Sequence, residues 1–280
     1  MKKTILFISA VLSLAVMSCN STRKPGAGIP AVQDAAVYAK EDGATRIVSY
    51  NVGVFGKYTD NSSKMVSDMM KEIKADVMVL NEIDRNNERH SYDQLAEFAG
   101  YMGWKYIYAP AMPYKGGEYG NGLVYSGAER LLDSFTIPLK KKSGSEDRVC
   151  VVAEFVDFVL AGTHLDVGSE EDRINGARTI TKELRARYAN AGKPVFLCGD
   201  MNARPESEVI RTLEEDWTRI SSLGNSHSSA DPNKCIDYIF ALDGTGGYKV
   251  TSSGVLTEFK TGDVKEASDH LPIYADVKFN

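Results

Sequence analysis

The chain lacks the signatures that most readily identify a hydrolase or a nucleotide-binding protein. No Gly-x-Ser-x-Gly segment marks a serine nucleophile, and no P-loop pattern is present to cradle phosphates. A basic excess is also missing: the formal net charge is −5, whereas a protein that grips a nucleic-acid backbone usually carries a basic stripe. The densest basic run, Lys140-Lys141-Lys142, reads as a solvated turn between strands. No proline-, glycine- or serine-rich linker, internal repeat or low-complexity run follows residue 45, so the 280 residues are expected to form one large domain. Cysteine is scarce. After Cys19 only Cys150, Cys198 and Cys235 remain, each in or beside an apolar run, and three cannot all pair with one another. They read as small buried core residues, with Cys150–Cys235 as a pairing that an oxidising compartment would allow.

The first 18 residues have the architecture of a secretory signal. Lys2-Lys3 is a basic start, Thr4 to Met17 is apolar and short, and Val16-Met17-Ser18-Cys19 places a cysteine where bacterial lipoprotein signals are cut. On this reading Cys19 carries lipid, residues 19–44 are a flexible tether, and residues 45–280 are the folded domain. An ordinary signal peptide cleaved nearby is the alternative. Removing the signal takes away Lys2 and Lys3, leaving 31 basic residues against 38 acidic ones, a balance of −7.

The remaining sequence alternates strand and helix, then becomes rich in strands. Strands are expected at 46–55, 76–83, 105–111, 121–126, 130–139, 148–155, 157–165, 194–199, 235–242, 248–257 and 271–279. Helices are expected after Asn61-Ser62, from Ser91 through Tyr101, over 170–190 and over 206–217, with Pro205 in the first turn of the last. The strands read as continuous apolar runs, as they do when both faces are covered. This pattern predicts an α/β fold with two sheets packed face to face and helices outside.

Polar groups recur where these strands end or begin. Asn51 ends Ile47-Val48-Ser49-Tyr50, Glu82 ends Val77-Met78-Val79-Leu80, and His164-Leu165-Asp166 follows Val159-Leu160-Ala161. Gly199-Asp200-Met201-Asn202 follows Pro194-Val195-Phe196-Leu197-Cys198, Asp237 follows Cys235-Ile236, and Asp269-His270 opens Leu271-Pro272-Ile273. Open α/β folds place their chemistry at the carboxyl edge of the sheet. These groups either bind a hard cation or move a proton. Taken alone, Glu82 would be a surface carboxylate at a strand end, and Asp200 with Asn202 would be an Asx turn. Their company reverses that reading.

Ser49-Tyr50-Asn51, Leu80-Asn81-Glu82, Thr163-His164-Leu165-Asp166, Gly199-Asp200-Met201-Asn202, Ile236-Asp237-Tyr238-Ile239 and Ser268-Asp269-His270-Leu271-Pro272 resemble the ordered motif set of the endonuclease/exonuclease/phosphatase superfamily. That superfamily includes pancreatic deoxyribonuclease, abasic-site endonucleases, inositol polyphosphate 5-phosphatases and neutral sphingomyelinases. The resemblance spans residues 46–279 and implies a four-layer αββα sandwich of two packed mixed β-sheets flanked by helices. It also implies a phosphoesterase that uses Mg²⁺ or Mn²⁺. The chain has neither the long basic insertion expected of a DNA-repair enzyme nor an exposed aromatic hairpin for membranes. Asn81 stands where the family usually has Gln.

Under the resemblance, Asn51, Glu82 and Asp269 would hold the metal, since hard oxygen ligands suit such ions. Asp200 and Asn202 would position and deprotonate the attacking water, with Asn202 also touching substrate. Asp237 and His270 would form a carboxylate–imidazole dyad in which the acid fixes the ring tautomer, and the base is either Asp200 or His270. His164 would bind a phosphoryl oxygen as its charge grows. Tyr119 and Asn121, in Glu118-Tyr119-Gly120-Asn121-Gly122, would reach phosphate, or else simply open a glycine-rich hairpin. Asp166 would support His164 or end its strand, and Arg173 and Arg178 read as surface residues. His90 and His227, with no partner pattern, read as loop residues.

The expected activity is hydrolysis of a small-molecule or lipid-linked phosphodiester or phosphomonoester, at the bacterial cell envelope and attached to the membrane through lipid on Cys19. Two alternatives stand beside it: an envelope nuclease with the same chemistry, which the acidic balance disfavours, and a non-catalytic binding module. Against the latter, none of the expected acids or histidines is replaced.

Overall fold

The computed structural model describes residues 37–280. The expected signal segment, Cys19 and residues 19–36 of the expected tether lie outside them. In chain order the elements are β1 (Thr45–Asn51), α1 (Ser63–Glu72), β2 (Val77–Arg85), α2 (Gln94–Met102), β3 (Lys105–Tyr114), β4 (Gly117–Tyr125), β5 (Leu131–Leu139), β6 (Arg148–Phe155), β7 (Val159–His164), α3 (Glu170–Tyr188), β8 (Val195–Asp200), α4 (Glu208–Glu214), β9 (Trp217–Arg219), β10 (Asp237–Leu242), β11 (Tyr248–Val255), α5 (Val264–Ala267) and β12 (Ile273–Phe279). They build two six-stranded mixed sheets, ordered β11-β12-β1-β2-β4-β3 and β5-β6-β7-β8-β10-β9.

Strand periodicity explains the layering. Side chains two apart share a face. Ile47, Val77, Val79, Leu160, Phe196, Cys198 and Ile239 therefore fill the space between the sheets. Val48, Tyr50, Met78 and Leu80 face α1 and α2, while Val195, Leu197, Tyr238 and Phe240 face α3 and α4. The result is four layers, αββα. Both faces of the central strands are covered, which accounts for their unbroken apolar sequence.

Several boundaries differ from the sequence reading. The first strand stops at Asn51, and Gly53–Phe55 is a 3₁₀ turn with Val54 and Phe55 at positive φ. Pro205 precedes the N-cap Ser207, whose hydroxyl accepts from Ile210 N. The expected helix 206–217 is cut short because Trp217 starts β9 instead, with its indole N–H donating to Thr181 Oγ1 at 2.8 Å. Strand β9 and helix α5 are too short for periodicity to find. Cys150, Cys198 and Cys235 are all buried and unpaired, so no Cys150–Cys235 bridge forms.

The tether expectation also shortens, because the chain is fixed to the fold before residue 44. Tyr38 Oη accepts from Thr257 N at 2.8 Å. Arg46 lies fully buried, with Nε and Nη2 donating to the two oxygens of Asp276 at 2.7 and 2.6 Å. Its Nη1 donates to the carbonyls of Tyr38 and Ile73. One guanidinium thus ties the incoming segment, the end of α1 and β12 together. Breaking such a buried pair by removing one partner typically costs about 3–5 kcal/mol.

Glu129, in the β4–β5 turn, is pushed up to about 7 from 4.5, first by burial and then by the carboxylates of Asp76 and Asp157. A carboxyl whose folded value is raised favours the fold while protonated and opposes it once ionised. Stability should therefore fall as pH rises from the unfolded value through about 7. Glu129→Gln is expected to melt higher than the parent at about pH 8 and to match it at about pH 4. Thermal melts at the two pH values check this, and equal melting at both would contradict it.

Candidate active site

The same period-2 rule that buries Val79 and Phe196 delivers polar side chains to one end of the inter-sheet space. Counting from the inner residues, Ile47 leads through Ser49 to Asn51, and Val79 leads to Asn81. Leu160 leads through Gly162 to His164, Phe196 through Cys198 to Asp200, and Ile239 back to Asp237. Strands β7 and β8 are parallel with His164 opposite Asp200, and antiparallel β10 places Asp237 opposite Asp200. Gly199 makes the close approach possible. Its φ is +147°, and a Cβ there would sit 1.8 Å from the Thr163 carbonyl oxygen.

Glu82 reaches the site by a different route. Leu80 and Ile83 both face the helices, which requires one extra residue between them, and the β2–β4 pairing slips at that point. Glu82 takes φ +60°, a conformation uncommon outside glycine and frequent at functional positions. This bulge turns its carboxylate from the helix side into the cleft. Asn202 is likewise held at φ +48°.

A cavity of about 340 Å³ opens at this edge, lined by Glu82, Tyr119, Glu146, Arg148, His164, Val167, Asp200, Asn202, His227, Lys234, Ile236, Asp269 and His270. A second depression, of about 310 Å³, runs beneath Lys140–Lys142 and shares Glu146 and Arg148 as its wall. The histidines and Asp200 belong to the first.

Hydrogen bonds organise the floor. Asn81 reaches across from β2: its Oδ1 accepts from Asp200 N at 3.1 Å, and its Nδ2 donates to Thr163 O and to Asn121 Oδ1, both at 3.0 Å. Asn51 Nδ2 donates to Glu82 Oε1 at 3.0 Å and to Asp200 Oδ2 at 3.2 Å, while its oxygen accepts from Gly53 N. Asn51 therefore holds Glu82 through its nitrogen rather than aiming its oxygen at the same point. Asp200 Oδ1 accepts from Asn202 N at 2.8 Å. Asp237 Oδ2 receives the Ser226 hydroxyl at 2.5 Å and lies 2.8 Å from His270 Nδ1. His270 Nε2 faces Asp200 Oδ2 at 3.6 Å.

The two buried histidines have opposite electrostatics. Burial works against charge on His270, but the carboxylates of Asp237 and Asp200 outweigh it and raise its pKa. Burial, Arg148 and His270 push His164 well below the usual value, so His164 is neutral. Its Nδ1 lies 3.3 Å from Arg148 Nη1, and its Nε2 lies 2.9 Å from Asn202 Nδ2. Two donor neighbours oppose a second proton on the ring, and the neutral ring accepts from one of them through its single unprotonated nitrogen. Burial and then Asp237 raise Asp200, partly offset by His270. Burial and Glu82 raise Tyr119.

Two groups of residues have the chemistry to hold a cation. Asp200, Asp237 and His270 bring three ligand atoms within 4.8 Å of one another, but His270 and Ser226 already occupy the shared oxygen of Asp237. Glu82 and Asp269 face the open cavity. The Lys57 ammonium pairs with Asp269 Oδ2 at 2.8 Å, and its pKa is raised by that bond and by the charges of Asp269 and Glu82. A positive charge is thus already favoured near both carboxylates. Lys57 is 44 % exposed, and both carboxylates line the open cavity, so Glu82 and Asp269 have the chemistry to take a hard cation there.

Some sequence expectations land elsewhere. Asn121 is buried beneath the floor, its amide taken up by Asn81 and by Val149 O, so it braces the site and does not line the cavity. Asp166 accepts from Gly168 N and Ser169 N ahead of α3, and no hydrogen bond joins it to His164 among the described residues. His227, expected to be an idle loop residue, packs on the His270 ring at 4.8 Å and lines the cavity. His90 is bound to the buried Asp84 at 2.7 Å. Arg148, Glu146, Lys57, Ser226 and Lys234 were not singled out. No short motif surrounds them, and only Arg148 opening an apolar strand was available as a signal.

The model described as Endonuclease/Exonuclease/phosphatase family matches residues 48–270. The chain is similar to nocturnin of Rattus norvegicus, 23% identical over 249 residues covering 76% of this chain and 58% of that protein. It thus spans little more than half the length of that curated relative. Among solved structures it is similar to an endonuclease/exonuclease/phosphatase from Bacteroides vulgatus, with TM-score 0.69 and 21% identity over 85% of this chain and 99% of that one. It is also similar to a mannosyl-6-phosphatase from Bacteroides thetaiotaomicron, with TM-score 0.69 and 16% identity over 84% of this chain and 100% of that one. At these identities the structural likeness is one of fold.

Asn81 is the amide on which the site's floor rests. Asn81→Ala would leave Asp200 N and Thr163 O unpaired in a buried setting, and the expected loss is about 3 kcal/mol in urea unfolding. A loss below about 0.5 kcal/mol would show that the cross-sheet bonds are not structural.

Proposed function

This chain belongs to the Endonuclease/Exonuclease/phosphatase family, and on that premise we propose that it is a divalent-metal-dependent phosphoesterase acting on a small-molecule or lipid-linked phosphate ester. The observation that carries the proposal is the convergence of Glu82, His164, Asp200, Asn202, Asp269 and His270 on one cavity, with Asp237 directly behind His270. The fold likeness to a mannosyl-6-phosphatase supports a phosphate ester of modest size. The acidic balance of the chain supports a substrate other than a nucleic acid.

A phosphate ester is an anion that repels nucleophiles, so its hydrolysis needs both charge neutralisation and an activated water. Glu82 and Asp269 would hold Mg²⁺ or Mn²⁺, which would supply the first of these needs. Asp200 is the general base, because its carboxyl is raised toward neutrality by burial and Asn202 N and Asn51 Nδ2 fix its orientation. His270 is held protonated between two carboxylates, so it cannot accept a proton; it donates to the phosphoryl group as negative charge accumulates there. Ser226 keeps Asp237 aligned for that task. Neutral His164 and the neighbouring Arg148 form the opposite wall and contact the non-reacting oxygens.

The proposal extends to residues 1–44. The basic start, the short apolar stretch and Val16-Met17-Ser18-Cys19 support a lipoprotein signal, with lipid on Cys19 holding the domain at the bacterial cell envelope.

Two experiments test these readings. With Mn²⁺ the chain should hydrolyse p-nitrophenyl phosphate or its bis ester. A chelator should stop the reaction, and Asp200→Ala should lower kcat at least about 100-fold. Glu82→Gln should raise the metal concentration for half-maximal rate by about tenfold or more. Turnover that ignores chelation, or that survives Asp200→Ala, would refute the enzyme. The mass of the mature N-terminus should show an acylated Cys19, and an unmodified terminus would remove the anchor.

A further inference from the structure

Beside the metal-binding edge lies a smaller trough of about 110 Å³, walled by Glu82, Arg89, Met112, Tyr114, Tyr119 and Glu146. Glu82, Tyr119 and Glu146 also line the main cavity, so the two spaces share a wall. The organising group of the trough is Arg89. Its Nε and Nη2 donate to the two oxygens of Asp84 at 2.6 and 2.9 Å, and Asp84, with no exposed side-chain surface, also takes His90 Nδ1. The guanidinium lies 4.8 Å from the Tyr114 ring centre and 6.0 Å from that of Tyr119.

The surrounding backbone is fixed as firmly. Asn87 Oδ1 accepts from both Arg89 N and His90 N at 2.9 Å. Glu88 N donates to Lys115 O at 2.9 Å, and Asn87 Nδ2 donates to Glu118 O, which clamps this loop to the β3–β4 hairpin. Gly117 lets the two segments close, since a Cβ there would lie 2.3 Å from Asn86 O. An arginine that is still 36 % exposed is therefore held in one geometry before any ligand arrives. Pre-organisation of this kind lowers the cost of binding.

We propose that this trough is the leaving-group subsite of the phosphoesterase reaction and that it receives a neutral, hydroxyl-bearing ring, a sugar or polyol, on the alcohol side of the ester. The inference rests on the function proposed above. Charge selects the ligand class. Arg89 is offset by Asp84, and Glu146 by Arg148 at 2.9 Å, so a second anion finds no uncompensated cation on the walls. A purely apolar group would strip water from the Arg89 guanidinium and the partly exposed Glu146 carboxylate without replacing its hydrogen bonds, which is costly. Hydroxyl groups both donate and accept, matching walls where donors stand beside carboxylate acceptors, while Met112 and the tyrosine rings meet the ring carbons.

Calorimetry on the full chain with Mn²⁺, in an Asp200→Asn background that stalls turnover, tests the subsite. Glucose 6-phosphate should bind about tenfold more tightly than orthophosphate, the gain expected of a hydrogen bond to a charged group. Arg89→Gln and, separately, Tyr114→Ala should each erase that advantage while orthophosphate affinity stays within about twofold of the background. The half-buried position of Tyr114 at the hairpin end of β3 keeps the test open should Arg89→Gln fail to fold. Equal binding of the two ligands, an advantage that survives both changes, or an Arg89-dependent preference for fructose 1,6-bisphosphate over glucose 6-phosphate would overturn the proposal. Failure of the phosphoesterase reading is seen separately, as absence of p-nitrophenyl phosphate turnover by the parent chain.

Discussion

Everything at the site depends on two amides that cross from one sheet to the other. Asn81, at the end of β2, accepts from the backbone of Asp200 and donates to the carbonyl of Thr163. Asn51, at the end of β1, donates to the carboxylate of Asp200 and to Glu82. Apolar packing between the sheets is non-directional and tolerates sliding. These bonds do not, because each would leave a buried polar group stranded if the register changed. They lock the two sheets into one frame in which Asn51 bridges Glu82 of the first and Asp200 of the second.

On that frame the protein arranges charge in layers. The innermost layer is Asp200, Asp237 and His270, where burial works against charge on Asp200 and on His270 and the carboxylates stabilise charge on the ring between them. His164, on the neighbouring strand and 3.5 Å from Asp200, is kept neutral first by burial and then by Arg148 and His270. The outermost layer, Glu82 and Asp269, lines the open cavity and is tempered by the partly exposed charge of Lys57. Burial shifts the protonation of the inner groups, while Glu82 and Asp269 stay open to the cavity. Ser226 and Asn202 carry no charge, but they determine which oxygen or nitrogen of each titratable group faces the cavity.

Much of this was legible in the sequence, for a physical reason. Polar side chains are sparse in strands covered on both faces, so Asn51, Asp200 and Asp237 at strand ends stand out against their apolar runs. The four-layer fold follows from the same runs. Other features were illegible because they are made by tertiary contact. The bulge that redirects Glu82 has no sequence mark beyond an extra residue between Leu80 and Ile83. Asn121 looked like a ligand and is a brace, since its neighbours in space come from β2 and β6. His90 and His227 looked idle because their partners, Asp84 and His270, meet them only in the folded chain. Arg89 gave no signal at all: its meaning lies in Asp84, Tyr114 and Tyr119, which three different segments provide.

The central claim is that Glu82 and Asp269 together present the cation site, with the Asp200–Asp237–His270 cluster reserved for protons. Anomalous scattering from crystals soaked in Mn²⁺ addresses it most directly. The account predicts a single strong peak bonded to the carboxylates of Glu82 and Asp269, with Lys57 displaced from Asp269. A peak seated among Asp200, Asp237 and His270, or none anywhere in the cleft, would contradict it.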